Sequence, residues 1–283
     1  MRKTVIVKPG EEEIYVSVLA GNEIRKTMTI AIEPGSGLCD SNMRKVGAML
    51  REEGVRNCSA GTIISDEQCI FRTVRDDLGD RDRIFRKLME SLGEEMRMND
   101  DEDYVFDCQQ VTGSDNEYLC VITRRSLVTD YQAAFVRNNL RLDYLIPECV
   151  AIGNIVRNSG LSKENPIFVD LNPRRTLIRV YSGSECIAQH EINSDAGSVE
   201  DQIGKIKGTL DYYDENNIAD SDSSGVYVYG EGATVKSTLR SLKKELGRSI
   251  YSVRNLLGCA IDSDDASLLF SAIGVVSADG AAI

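Results

Sequence analysis

The sequence predicts an α/β protein with two similar lobes, and three observations predict it. A strand-period meander runs over residues 4–32 and returns over residues 166–192, and a helical stripe follows each copy. The repeat distance of about 160 residues is too long for a solenoid and suits a duplicated domain. Finally, 283 residues with 42% hydrophobic and 28% charged side chains are enough for two globular cores and exclude a disordered or fibrous chain. Two lobes side by side leave a cleft, and ligands favour such clefts.

In the first half, residues 4–7 and 14–19 alternate in the strand period, joined by Lys8-Pro-Gly-Glu-Glu-Glu13; a third run, residues 24–32, follows Gly21-Asn22. After Pro34-Gly-Ser-Gly37 a helix is expected over residues 42–53, with Met43, Val46, Met49 and Leu50 on one stripe and Gly54 as its stop. Strands over residues 61–64 and 69–74 precede a charged helix over 81–97, whose apolar positions are Ile84, Phe85, Leu88, Met89 and Leu92. Residues 99–103 read as a solvated acidic turn. Strands over 104–111 and 118–123 and a helix over 127–139 complete this half.

The second half repeats the pattern. Strands over 166–171, 175–181 and 185–192 have turns at Asn172-Pro173 and Ser182-Gly183 and lead into a helix over 197–213. A short buried-type strand over 225–230 precedes a helix over 235–246, ended by Gly247. The almost wholly apolar stretch 266–276 is expected as a last helix packed inside.

Several function classes are excluded by what is missing. A net charge of −12, with no local basic patch to offset it, repels nucleic-acid phosphates and anionic lipid. The eight cysteines are never closer than the eleven residues between Cys58 and Cys69, so no CxxC motif exists. Cys120 lies in Tyr-Leu-Cys-Val-Ile, the setting of a buried small hydrophobe in a reducing compartment. The apolar run at the N-terminus is too short for a signal peptide and stops at Pro9-Gly10, and no window approaches 18 apolar residues, so a cytoplasmic chain without membrane insertion is expected. His190 is the only histidine and reads as a structural or solvent-exposed strand residue, not a zinc ligand or general base.

No GxSxG, HExxH, GxxxxGK[ST] or GxGxxG occurs, and the absence of tryptophan removes the usual stacking platforms. The pairs Asp76-Asp77 and Asp264-Asp265 read as solvated loop residues. Cys149 stands at a helix start, which lowers a thiol pKa, but it has no histidine partner and reads as packing. No independent catalyst is expected.

The segment Asn139-Leu-Arg-Leu-Asp-Tyr-Leu-Ile-Pro147, followed by Ala151-Ile-Gly-Asn-Ile-Val156, and the later succession over 197–213 and 225–246 together resemble one family. It is that of PilM, the actin-like cytoplasmic protein of the type IV pilus inner-membrane platform, with FtsA and the cytoplasmic domain of the type II secretion protein GspL as more distant relatives. The resemblance covers nearly the whole chain. It implies an actin-like fold of duplicated RNase H-like lobes with an inserted small α/β subdomain: residues 1–56 as the first lobe, 57–145 as the insertion and 146–283 as the second lobe.

The resemblance also implies where a nucleotide would bind. Actin-like proteins hold phosphates in two Asp-x-Gly hairpin turns whose amides approach the anion. Here the second turn keeps Asp170 and Thr176 but has Asn172 for glycine; Gly230 and Gly232 match the adenosine-side motif. The first turn keeps Gly10, has Lys8 for the aspartate, and places Glu11, Glu12 and Glu13 where small hydroxyl residues face phosphate. Each carboxylate so close to a triphosphate would cost roughly a few kcal/mol. The family's Ala-Glu-x-x-Lys signature has no match between Ile192 and Tyr213. A silent site is therefore expected, with no cofactor; Mg-ATP, and ATPase activity, would require Gly10, Asp170, Thr176, Gly230 and Gly232 to work around the altered turn.

The function so implied is that of a non-catalytic adaptor, peripheral to the inner membrane through a protein partner. In the family, a groove between the insertion and the first lobe takes the cytoplasmic N-terminal peptide of a membrane-anchored, PilN-like protein, and other platform proteins assemble with it. Arg72, Arg75, Arg81, Arg83, Arg86 and Lys87 form a basic cluster beside that groove, suited either to an acidic partner loop or to the outer face of a salt-bridged helix. The alternatives are an ATP-driven switch in the same machinery and, with more degraded phosphate turns than such enzymes tolerate, a sugar- or acetate-kinase relative. The sequence leaves a homodimer open.

Overall fold

A computed structural model describes residues 3–21, 23–95, 103–111, 114–172, 174–193, 199–219, 224–234, 236–257 and 263–275. Strands β1 (Lys3–Pro9), β2 (Glu13–Ala20) and β3 (Glu23–Ala31) form the first meander, each antiparallel to the next. β1 and β2 are buried along their centres, whereas β3 is half-exposed because it is the outer edge. Helix α1 (Asp40–Glu52) lays Met43, Val46 and Leu50 on the core formed by Val5, Val7 and Val16. β4 (Cys58–Ile64) is buried at every position and runs parallel to β1.

Next come β5 (Ile70–Arg75), α2 (Arg81–Glu95), β6 (Tyr104–Gln110) and β7 (Glu117–Arg124). They form a layer of their own, an antiparallel sheet in the order β5-β7-β6, with Ile84, Leu88 and Leu92 of α2 packed on Val74, Cys120 and Ile122. α3 (Arg125–Val136) and β8 (Leu140–Pro147) return the chain to the first sheet, whose order is β3-β2-β1-β4-β8.

The residues expected as an insertion, 57–145, begin with β4 and end within β8. β4 lies between β1 and β8 and pairs with both in parallel register, so its backbone groups are satisfied on either side, and it is buried at every position as the interior strand of a sheet covered on both faces is. Both ends of the expected insertion thus belong to the first sheet, and only residues between β5 and β7 stand apart. Two compact units meet along the chain after Ala151, within α4 (Glu148–Ser159).

The second unit contains β9 (Ile167–Leu171), β10 (Arg175–Ser182), β11 (Glu185–Asn193), α5 (Val199–Glu215), β12 (Val226–Tyr229), α6 (Lys236–Leu246), β13 (Ile250–Ser252) and α7 (Ser263–Ile273). Its sheet order, β11-β10-β9-β12-β13, repeats that of the first: three antiparallel strands, then two parallel ones. The duplication read from the meanders is therefore present in the topology. One face packs on Ile203, Ile206 and Leu210 of α5 and Leu242 of α6. The other is aromatic, with Phe168 stacked on Phe270 of α7 at 5.4 Å between ring centres.

β8 and β13 were not foreseen as strands. The expected acidic turn at 99–102, together with Asn22, Pro173, Gly197, Val235, Cys259 and Val276, lies outside the described residues. Among the described residues, no helix is long and apolar enough to cross a membrane, and His190 is exposed on β11.

Candidate functional site

The first of the two expected phosphate turns belongs to the first unit. Gly10 donates its N–H to the Glu13 carbonyl at 2.8 Å, which closes the β1–β2 hairpin. The Glu12 carbonyl accepts from Ile32 N–H at 2.8 Å and that of Glu11 from Gly35 N–H at 3.3 Å, so the segment after β3 is tied over the turn. Lys8 is buried, Glu12 is exposed, and Glu11 and Glu13 are half-buried. The turn thus presents carboxylates, and the amide of its one expected ligand is already bonded.

The other four expected residues gather in the second unit, where β9 and β12 end side by side. Asp170 is 4% exposed and Thr176, paired with Leu171 across the β9–β10 hairpin, is fully buried. β12 runs parallel to β9 with Tyr229 beside Asp170, which carries the next residue, Gly230, directly over the turn. Gly230 has φ +91°, and a Cβ there would stand 2.5 Å from Asp170 Oδ1 and 2.8 Å from the Leu171 carbonyl oxygen. A Cβ at Gly232 would stand 2.8 Å from Leu171 Cγ. Both glycines are required by the backbone that passes beneath them, with or without a ligand.

Asn172 locks this arrangement. It keeps a negative φ, so the turn is not built on a glycine-like backbone. Its Oδ1 accepts from Glu231 N–H at 3.1 Å, its own N–H donates to the Arg175 carbonyl at 3.1 Å, and its carbonyl accepts from Gln202 Nε2 at 3.0 Å. Gln202 Nε2 also donates to Thr176 Oγ1 at 2.7 Å, and Gly230 N–H donates to the Ser267 carbonyl at 3.0 Å. The backbone donors that an anion would seek, on Asn172, Gly230 and Glu231, are all engaged within the protein. No sequence signal singled out Gln202, a polar residue beside Ile203 on an amphipathic helix.

Other candidates resolve into structure. Asp76, expected as a solvated loop residue, is 1% exposed: it accepts from Lys87 Nζ at 2.9 Å and pairs with Arg83 at 3.2 Å. The Lys87 hydrogen bond, with help from the Leu78 amide and Arg83, holds its carboxyl below the usual range. Four of the six residues of the basic cluster pair with acids: besides Arg83 and Lys87 with Asp76, Arg81 pairs with Asp107 at 2.8 Å and Arg75 of β5 with Glu117 at 2.7 Å. Asp264 and Asp265 sit in the first turn of α7, where the helix dipole favours negative charge. Cys149 is buried and its N–H donates to Asp66 Oδ1 at 3.0 Å.

The first unit also holds a small, largely apolar cavity of about 20 Å³. Asp107 and Gln109 of β6, Leu119 and Val121 of β7, and Ile146 and Pro147 of β8 line it. A signal for it was present in the sequence: Leu119-Cys-Val-Ile122 is apolar at every position, so both faces of that strand meet protein, one toward α2 and the other toward the cavity.

No protein-family model matches the chain, and no curated protein is significantly similar to it in sequence. Solved structures do match. A chain of a PilM–PilN type IV pilus biogenesis complex superposes with a TM-score of 0.72 over 96% of this chain and 97% of that one, at 12% identity. A Bacteroides thetaiotaomicron protein with an actin-like ATPase fold and unknown function superposes with a TM-score of 0.58 over 98% and 96%, at 10% identity. The cytoplasmic domain of EpsL, an inner-membrane component of the type II secretion system of Vibrio cholerae, gives 0.52 over 81% and 82%, at 11% identity. At such identities the likeness concerns the fold. The chain has the actin-like fold, in the PilM-like form that its order of elements resembles.

Proposed function

We propose that this actin-fold chain is a non-catalytic adaptor of a type IV pilus or type II secretion inner-membrane platform, holding the cytoplasmic N-terminal segment of a membrane-anchored, PilN-like partner. The observation that carries this reading is the likeness to a chain of the PilM–PilN complex over 96% of this chain and 97% of that one. The amides engaged around Asn172 support the non-catalytic part. In this reading the protein is cytoplasmic and reaches the membrane through its partner. The apolar lining between β7 and the end of β8, whose cavity of about 20 Å³ admits no more than a group about the size of a water, is the contact for the tip of an apolar side chain of the partner segment. Titration with the partner's N-terminal peptide tests it: micromolar binding is expected, and Leu119→Asp should weaken it at least about ten-fold, or 1.4 kcal/mol. No binding at high micromolar peptide overturns the reading.

A second reading, an ATP-binding switch in the same machinery, is favoured by the retention of Asp170 and Thr176 at the turn. Millimolar Mg-ATP against micromolar affinity would stabilise the protein by roughly 4 kcal/mol. A thermal shift of that size, lost in Asp170→Ala, selects this reading; no shift rejects it.

A further inference from the structure

Cys108 of β6 and Cys120 of β7 are direct partners in the antiparallel ladder. Two flanking bonds fix the kind of pair. Val111 N–H donates to the Glu117 carbonyl at 2.8 Å and Arg125 N–H to the Asp103 carbonyl at 2.8 Å, so the odd-numbered positions of β6 carry the ladder's hydrogen bonds and Cys108 falls between them. Such non-hydrogen-bonded pairs bring Cα atoms to about 4.5 Å, inside the span of about 4.4–6.8 Å that a disulfide bridges. Both side chains lie on the face packed against α2. β6 is an edge strand; Cys108 is half-buried there and Cys120, on the central strand, is fully buried.

We propose that Cys108 and Cys120 are a modification site, a thiol pair that closes to an intrachain disulfide when the protein meets a low-molecular-weight disulfide such as oxidised glutathione. Cys108 is the attacking group. The neighbouring Cys120 thiol, and further off the Arg81 guanidinium, bring its pKa down to about 7 against the opposing effects of burial and Asp107. Its thiolate attacks one sulfur of the oxidant, forms a mixed disulfide and expels a thiolate. Cys120 then loses its proton to solvent and attacks the Cys108 sulfur, expelling the second thiolate. Two protein thiols are oxidised to one disulfide, and the oxidant is reduced to two thiols. The buried Cys120 thiol is pushed up in pKa, so the second step is the slower one.

Trypsin releases both cysteines in one peptide, residues 98–124, because no lysine or arginine lies between Arg97 and Arg124. The folded chain is exposed to oxidised glutathione, denatured, alkylated and digested. The peptide should emerge without alkyl groups and lighter by two hydrogens, and should gain two alkyl groups when reduced first. In Cys108→Ser, Cys120 should be alkylated throughout. Recovery of the parent peptide with both cysteines alkylated, or with glutathione on Cys108 and alkylated Cys120, overturns the proposal.

Discussion

Replacing Gly230 with alanine separates a glycine kept for packing from a glycine kept for a ligand. The backbone there has φ +91°, which costs a residue with a Cβ about 1–2 kcal/mol. The new methyl would also stand 2.8 Å from the Leu171 carbonyl oxygen. That oxygen belongs to a strand held by β10 on one side, so it cannot rotate away as a side chain could. Overpacking of this kind adds about 1–3 kcal/mol. The sum, about 2–5 kcal/mol, is a large part of the 5–15 kcal/mol typical of a folded protein and should lower the melting temperature by roughly 5–15 °C. Urea and thermal unfolding without nucleotide read the effect. Gly208→Ala is the control: that glycine is exposed on α5 with nothing within 4 Å of an added methyl, so alanine should stabilise the helix by up to about 1 kcal/mol. Stability of Gly230→Ala within about 0.5 kcal/mol of the parent would refute the packing argument.

Asp76→Asn should melt below the parent at neutral pH, with a gap that closes in acid. The parent carboxyl is held below its ordinary value of 3.8, so its contribution is full above that value and is lost as pH falls through the lowered folded pKa; a gap that persists in melts down to about pH 2 would contradict this. Gln202→Leu removes the donor to Thr176 Oγ1 and to the Asn172 carbonyl, and urea unfolding should show a loss of about 1–3 kcal/mol.

Local pattern was enough for the meanders, because period-two alternation and turn residues mark each strand of the β1–β3 and β9–β11 sets. β8 was hidden by its own charges. Arg141 and Asp143 interrupt its apolar run, and only the fold shows that they satisfy each other at 2.6 Å, with Ser59 bonded to the same carboxylate. Asp170, Thr176, Gly230 and Gly232 could be placed together from the sequence, since strand ends in an actin-like order bring them there. The reason for the glycines could not, because it depends on how closely β12 passes over β9. Gln202 and Asp76 act through partners 26 and 11 residues away, respectively, and no short-range pattern carries such pairings.

The outer strand β3 has a consequence for self-association. Its edge carries Glu23, Arg25 and Lys26, with Arg25 paired to Glu23 and Lys26 to Glu53, each at 2.5 Å. Charged side chains on an edge strand are one device by which proteins discourage a second copy from adding a strand there. Continuous growth of the first sheet from molecule to molecule is therefore disfavoured at this edge.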